Sequence, residues 1–372
     1  MQYDAVVIGA GPAGSSAAIA LARTGASVCL VDKDSFPRHK LCGEFLSGDG
    51  TAHLRQLDVE EGLLAAGAVP VNRCLVSSVD GVTFDASLPG KPLSISRLLF
   101  DETLIKEAER SGVTARLGME ATAVTGTLSD GFQIHVANEV LEARVVLCAF
   151  GRSSSLERKL GRTTTNADAD PLVAFKAHYE GPFDSGVVEL HSFRGGYCGI
   201  QRIERGLVNV CWIARASILR TAGGKPNDMI EAVFPENDLL ADRLSALERV
   251  NDGFLAVSQL NFRPRTAIEG DLLFVGDSAG MIAPMCGDGM SMAISGGVHV
   301  ARLVEAYLGA RLDADQMKEQ YRVGWRRTYR TRMWIGRYLH LGYERTSVSR
   351  MGIGLCARFP AVGDWLIRAT RG

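Results

Sequence analysis

Gly9-Ala10-Gly11-Pro12-Ala13-Gly14 follows an apolar run at residues 3–8 and precedes a small-residue stretch at 15–22. That spacing suits a ligand carrying phosphates. Gly9 permits a tight turn, Gly11 lets backbone approach a pyrophosphate, and Gly14 lets the next helix press against the strand. The helix N-terminus would add free N–H groups and the positive end of its dipole. Asp32 ends a second apolar run, 27–31, at the distance where a carboxylate can bond a ribose hydroxyl. An acid there favours an unphosphorylated ribose, as in FAD or NAD. A glycine turn with no ligand is the plain alternative; strand, helix and terminal acid together argue against it.

A second glycine turn lies far along the chain. After the apolar residues 272–275 come Gly276-Asp277-Ser278-Ala279-Gly280, then Pro284-Met285-Cys286-Gly287-Asp288-Gly289-Met290. The glycines could serve a strand–turn–helix connection only. The two turns in this order argue instead for FAD. Arg97 follows Ser96 at the start of a helical pattern, where the helix dipole disfavours a cation. It either meets a bound pyrophosphate or ribityl chain, or pairs with Asp101 or Glu102. Lys33 and Arg38, in the polar loop after Asp32, either cover the cofactor or are solvated.

The elements that must hold these residues read as mixed α/β. A helical stretch is predicted near 50–66, strands between 69 and 95, and a helix from Arg97 with Leu98, Leu99, Leu104 and Ile105 on its buried face. Residues 113–117, 121–127, 132–136 and 140–149 read as a meander returning to the dinucleotide-binding sheet. Residues 172–257 are strand-rich, with helices near 227–234 and 239–247, and the chain is mainly helical after Gly287. There is no repeat and no low-complexity linker, so the domains should interleave. Residues 1–67, 97–160 and 262–310 are assigned to an FAD-binding domain, 68–96 and 161–261 to a substrate domain, and 311–372 to a helical C-terminal segment.

Composition frames this. At 372 residues, 46% hydrophobic and 22% charged, the chain is an ordinary globular enzyme with a formal net charge of −1, which recruits no nucleic acid. Eight cysteines without a C-x-x-C pair read as reduced thiols rather than a disulfide framework or a metal site. Neither a signal peptide nor a membrane span is evident, so a cytoplasmic location is expected. Charge is unevenly spread: residues 321–372 hold eleven arginines against Glu344 and Asp364. Tyr321, Trp325, Tyr329, Trp334 and Tyr338 alternate with those arginines at near-helical spacing. This is either a packing face or a basic amphipathic surface for peripheral membrane contact.

The order of motifs resembles the FAD-dependent hydroxylase and geranylgeranyl-reductase superfamily, with flavin-dependent halogenases as more distant relatives. The resemblance covers nearly the whole chain and rests on Gly9–Gly14 with Asp32, Phe36-Pro37-Arg38, Cys42-Gly43-Glu44, Arg97, and Gly276-Asp277 followed by Pro284, Gly287, Gly289 and Met290. It implies a glutathione-reductase-type, Rossmann-like FAD domain interleaved with a β-rich substrate domain. It implies non-covalent FAD held by Gly9, Gly11, Ala13, Gly14, Asp32, Lys33, Arg38, Cys42, Gly43, Arg97, Gly276, Asp277, Pro284, Gly287, Gly289 and Met290. Cys42, Glu44, Gly287 and Gly289 are implied at the reactive face. Two departures stand out. Gly196-Tyr197-Cys198-Gly199-Ile200 lacks the later aromatics of the reductases' lipid tunnel, and Ala149-Phe150-Gly151-Arg152 replaces a hydroxylase Asp-Gly. The halogenases' Trp-x-Trp-x-Ile-Pro is also absent, leaving Trp212-Ile213 alone.

No second dinucleotide-binding unit, hydrolase elbow, zincin helix or P-loop appears. Electrons would come from NAD(P)H at the flavin's own site or from a reductase partner. The expected function is hydroxylation of a hydrophobic aromatic or polyketide-like metabolite through a flavin C4a-hydroperoxide. The alternative is saturation of a C=C bond in an isoprenoid or related lipid, with halogenation or a non-catalytic flavoprotein as further readings.

Overall fold

Both faces of the first strand are covered, which is why its sequence is apolar without alternation. In the computed structural model, which describes residues 2–152, 154–162, 169–250, 252–260, 262 and 265–371, strand β1 (Gln2–Ile8) leads into helix α1 (Pro12–Ala22) and strand β2 (Val28–Asp32). β1 lies between β2 and the strand Glu139–Cys148, parallel to both. Leu272–Phe274 extends the sheet at one side and Thr114–Leu117 at the other, again parallel. The segment Thr114–Leu117 therefore lies outside the expected meander and pairs with β2. The meander itself is Ala121–Thr127, Gly131–Val136 and Glu139–Cys148.

Two glycines make the turn after β1 compulsory. Gly9 has φ +110°, and a Cβ there would fall 2.3 Å from the carbonyl oxygen of Ala149; one on Gly14 would fall 1.8 Å from that of Gly9. The helix Gly289–Leu308 crosses α1 closely because Gly297 has no side chain: a Cβ there would sit 2.5 Å from the Ala13 carbonyl oxygen.

A second sheet is built mainly from Leu172–Glu180, Val187–Phe193, Gly196–Arg202 and Val208–Arg215, with Arg73–Ser77 and Thr83–Ser87 added beyond Val187–Phe193. Period-two alternation sorts its side chains onto two faces. Phe175, Cys198, Ile200, Val210 and Trp212 face one way, under the helices Pro226–Ala232 and Asp238–Ser245 with Phe234 between them. The helix Ala216–Ala222, unforeseen in the sequence, caps the same side. Lys176, His178, Tyr197, Gln201, Asn209 and Ile213 project from the other face, toward the first sheet. The C-terminal helices Ala314–Tyr343, Thr346–Arg358 and Pro360–Arg371 pack on one another. Tyr321, Trp325 and Tyr329, four residues apart, bury the first of them.

Candidate cofactor and substrate cavity

A cavity of about 450 Å³ runs between the two sheets. At one end lie Gly9, Gly11, Ala13, Asp32, Lys33, Arg38 and Arg97. Asp32 ties the turn together: one carboxylate oxygen accepts the Ala10 N–H at 2.7 Å, the other the Asp34 N–H at 2.9 Å and an Arg38 N–H at 3.1 Å. Arg38 stacks over Phe36 at 4.3 Å, and its buried Nε makes no hydrogen bond. Arg97 makes the expected pair with Asp101. Its guanidinium bonds Asp101 through two 2.7 Å contacts, yet it still lines the cavity. A Cβ on Gly11 would lie 3.9 Å from Arg97 Nη2 and 4.0 Å from Arg38 Nη2, so this bare backbone faces two cations.

Midway, Asp277 and Arg152 face the cavity. Burial raises the Asp277 carboxyl above its ordinary value even though Arg97, Arg152 and Arg265 oppose that shift. Burial likewise lowers Arg152, with Asp277 opposing. Among the described residues no hydrogen bond reaches the Asp277 carboxylate. Arg152 carries no motif of its own in the sequence, because Ala149-Phe150-Gly151-Arg152 departs from the hydroxylase Asp-Gly there. Gly14 and Gly276 do not line the cavity; both serve packing, and a Cβ on Gly276 would lie 2.8 Å from that of Ala13.

The Cys42-Gly43-Glu44 loop borders the middle of the cavity and is held from the second sheet. Gln201 donates to the Gly43 carbonyl at 2.6 Å and Asn209 to the same oxygen at 2.9 Å. Glu44, fully buried and in the left-handed region at φ +59°, pairs with Lys176 Nζ and sits 2.8 Å from His178 Nε2. It also accepts the Arg97 N–H at 2.7 Å. Burial opposes ionisation of Glu44, but Lys176 and His178 overcome it and hold the carboxyl below its ordinary value. With both oxygens engaged in this way, the Glu44 carboxylate positions the loop. Across the cavity lie Pro284, Gly287, Gly289 and Met290. Gly287 takes φ +65°, and the helix Gly289–Leu308 opens there with no acidic residue in its first turn. Asp288 turns inward, accepting from the Ser47 hydroxyl at 2.8 Å and from Arg332 at 3.2 Å.

Beyond these loops the walls become apolar: Val188, Leu190, Ile213, Leu260, Met281 and Ile282, with Tyr197 among them. Little in the sequence marked this chamber, because both faces of its strands are rich in small or branched apolar residues. Tyr197 meets Tyr343 edge-on at 6.0 Å, and burial pushes its phenol well above the ordinary range. Trp212 lies on the opposite face of the sheet, against Phe175, Phe234 and Phe254.

The sequence pattern of the FAD binding domain family matches residues 2–195. The chain belongs to this family. The FAD-binding protein is 30% identical over 347 residues to menaquinone reductase of Mycobacterium tuberculosis (strain CDC 1551 / Oshkosh), spanning 86% of this chain and 80% of that one. It is 26% identical over 306 residues to digeranylgeranylglycerophospholipid reductase 2 of Methanopyrus kandleri, spanning 79% and 74% respectively. The solved structure of flavin-dependent brominase Bmp2 superposes on all of this chain and 93% of its own, with a TM-score of 0.85 at 22% identity, a likeness of fold. The protein is thus a flavin-dependent oxidoreductase. FAD fits the groups present. An uncapped helix N-terminus and two cations face the bare backbone of Gly11, as a pyrophosphate requires. A buried carboxylate at Asp277 is free to accept hydroxyl hydrogen bonds. A second helix N-terminus at Gly289 can stabilise negative charge on a reduced ring.

Proposed function

We propose that this protein reduces a carbon–carbon double bond in an apolar, isoprenoid-like substrate. The observation that carries the reading is the Cys42-Gly43-Glu44 loop, clamped by Lys176, His178, Gln201 and Asn209 where the cofactor groove opens into the apolar chamber. The menaquinone and digeranylgeranylglycerophospholipid reductases among its relatives support it. FAD held beside Gly11, Arg38, Arg97 and Asp277 would supply a hydride, its electrons coming from NAD(P)H or a reductase partner. The chain contributes the rest. Apolar walls hold the alkene and exclude water, and the loop carries the Cys42 thiol to the chamber's edge. Cys42 delivers the proton to the second carbon, and Tyr197, held protonated by burial, orients the substrate.

Hydroxylation of an aromatic metabolite is the second reading. It is favoured by the ring cluster behind the chamber, in which Tyr197 meets Tyr343 and His340, and His340 meets Phe262 at 4.8 Å. Anaerobic incubation of the reduced holoenzyme with a short polyprenyl alkene separates the two. Product gaining two hydrogens without oxygen supports reduction. Product formed only when oxygen is admitted, and carrying one oxygen atom, overturns it.

A further inference from the structure

The aromatic stripe of the C-terminal segment changes character part-way along. Tyr321, Trp325 and Tyr329 are buried against the helix Gly289–Leu308 and the strand Leu272–Phe274, where the Tyr321 hydroxyl donates to the Phe274 carbonyl at 2.6 Å. Beyond Arg330 the phase no longer serves packing. Trp334 and Tyr338 stand 61% and 57% exposed, their rings 4.6 Å apart. Arg330 and Arg337 flank them on the same helix face, at three- and four-residue spacings. The next two helices repeat the arrangement. Thr346–Arg358 buries Ile353 and Cys356 against Phe84 and Ala86 while exposing Met351 (71%) and Leu355. Pro360–Arg371 packs Val362 and Leu366 on the same cluster and exposes Trp365, with Arg368 three residues on.

We propose that the exposed face of Ala314–Tyr343 carrying Arg330, Trp334, Arg337 and Tyr338, together with exposed side chains of the two helices after it, docks on an anionic lipid membrane. Three features favour lipid over a protein partner. Exposed tryptophan, tyrosine and aliphatic side chains interleaved with arginine are what the headgroup–acyl boundary accommodates. Residues 321–372 set eleven arginines against only two carboxylates, a net positive charge that complements an anionic lipid surface. The arginines are also available. Among the described residues, Arg330, Arg337, Arg345, Arg358 and Arg368 have no carboxylate partner, whereas Arg322, Arg332 and Arg350 do. Among those residues no helix is long and apolar enough to cross a membrane, so contact would be peripheral.

The face is also well placed. A Cβ on Gly336 would lie 2.9 Å from Cys286 Sγ and 3.2 Å from Ile282, and Tyr343 meets Tyr197 of the chamber. One helix, about 10–12 Å across, therefore separates the outer face from the chamber wall. The proposal goes beyond the substrate reading and does not depend on it.

Sedimentation of the FAD-loaded protein with vesicles tests it. The vesicles are phosphatidylcholine alone, or with about 30 mol% phosphatidylglycerol, at low salt and at about 0.5 M salt. Binding is expected to the phosphatidylglycerol vesicles at low salt, and to weaken at high salt. With each basic residue worth about fivefold at an anionic surface, Arg330→Glu with Arg337→Glu should weaken binding by about 25-fold or more. Trp334→Ala with Tyr338→Ala should remove the part that survives salt. FAD content and thermal melting temperature should stay unchanged in both variants, so loss of docking is read apart from loss of folding or of cofactor. Three results overturn the proposal: no binding to the anionic vesicles at low salt, undiminished binding by the charge-reversed variant, or a concentration-dependent dimer that Trp334→Ala with Tyr338→Ala abolishes.

Discussion

The two faces of the second sheet each bury a glutamate beside a histidine, with opposite consequences. On the helix-covered face, His191 lies 2.8 Å from the Ser77 hydroxyl and 3.0 Å from Glu189. The order serine–histidine–acid matches an activated nucleophile. Yet Ser77 and His191 are fully buried and neither lines the cavity, while Asn237 donates to the Ser77 hydroxyl at 2.9 Å and Arg243 grips Glu189. This chain of bonds fastens the helix Asp238–Ser245 to the sheet. On the other face Glu44 joins Lys176 and His178 in a cluster just as buried, but its backbone forms the cavity edge beside Cys42. Hydrogen-bond geometry alone does not distinguish the clusters. Access to the cavity does.

The largest test of that contrast is Lys176→Met. It strands the Glu44 charge in a fully buried site, which should cost about 3–5 kcal/mol of stability and loosen the Cys42 loop. Denaturant unfolding and turnover should both fall. Adding Glu44→Gln should recover much of the stability, because no uncompensated charge remains. Failure of the double variant to recover any would mean that the cluster's worth is not electrostatic. Ser77→Ala, on the opposite face, should cost about 1–3 kcal/mol by leaving buried partners unpaired. Turnover per folded molecule should hold. A selective drop in turnover would break the comparison.

Between them lies Cys42→Ala, which keeps the Gln201 and Asn209 bonds to the Gly43 carbonyl and loses the 3.3 Å bond from the Glu44 N–H to Cys42 Sγ. FAD content and thermal stability should stay nearly constant, while turnover should fall about tenfold to a hundredfold if the thiol passes the proton. Equal losses of FAD and turnover would make the thiol a packing group.

What could be read in advance follows from how local each signal is. The first glycine turn, Asp32, Arg97 and the Gly276–Met290 region could be picked out because each is a short run of residue types at fixed spacing, even though Gly9 meets Ala149 and Gly276 meets Ala13 across the fold. The apolar chamber was not. Ile213 and Trp212 are neighbours of similar hydrophobicity, and only the pairing of Val208–Arg215 with Gly196–Arg202 decides which one meets the cavity. The same non-locality moved Thr114–Leu117 from the meander to β2. The C-terminal aromatics recur every four residues except for the five-residue step from Tyr329 to Trp334, and the body of the protein covers Tyr329 and leaves Trp334 exposed.

The smallest expected effect sharpens the contrast at a third buried carboxylate. Glu44 is held below its ordinary value by Lys176 and His178, whereas Asp288 shares Arg332 with Asp49 and, among the described residues, otherwise accepts from the Ser47 hydroxyl, itself bonded to Ser291. Burial pushes Asp288 up to about 7, with Arg332 and Ser47 opposing and Asp49 adding to the rise. A carboxyl raised in the folded state contributes stability that is complete below its unfolded pKa, 3.8, and is lost as pH climbs through about 7. Asp288→Asn keeps an acceptor for Ser47 and does not titrate. The stability of the unaltered protein relative to this variant should fall by about 1.4 kcal/mol between pH 6 and pH 8, the share of the window that lies below 7. Paired thermal melts of the FAD-loaded proteins measure that difference. A pH-independent difference, or one growing with pH, would show that Arg332 holds Asp288 ionised as firmly as Lys176 holds Glu44.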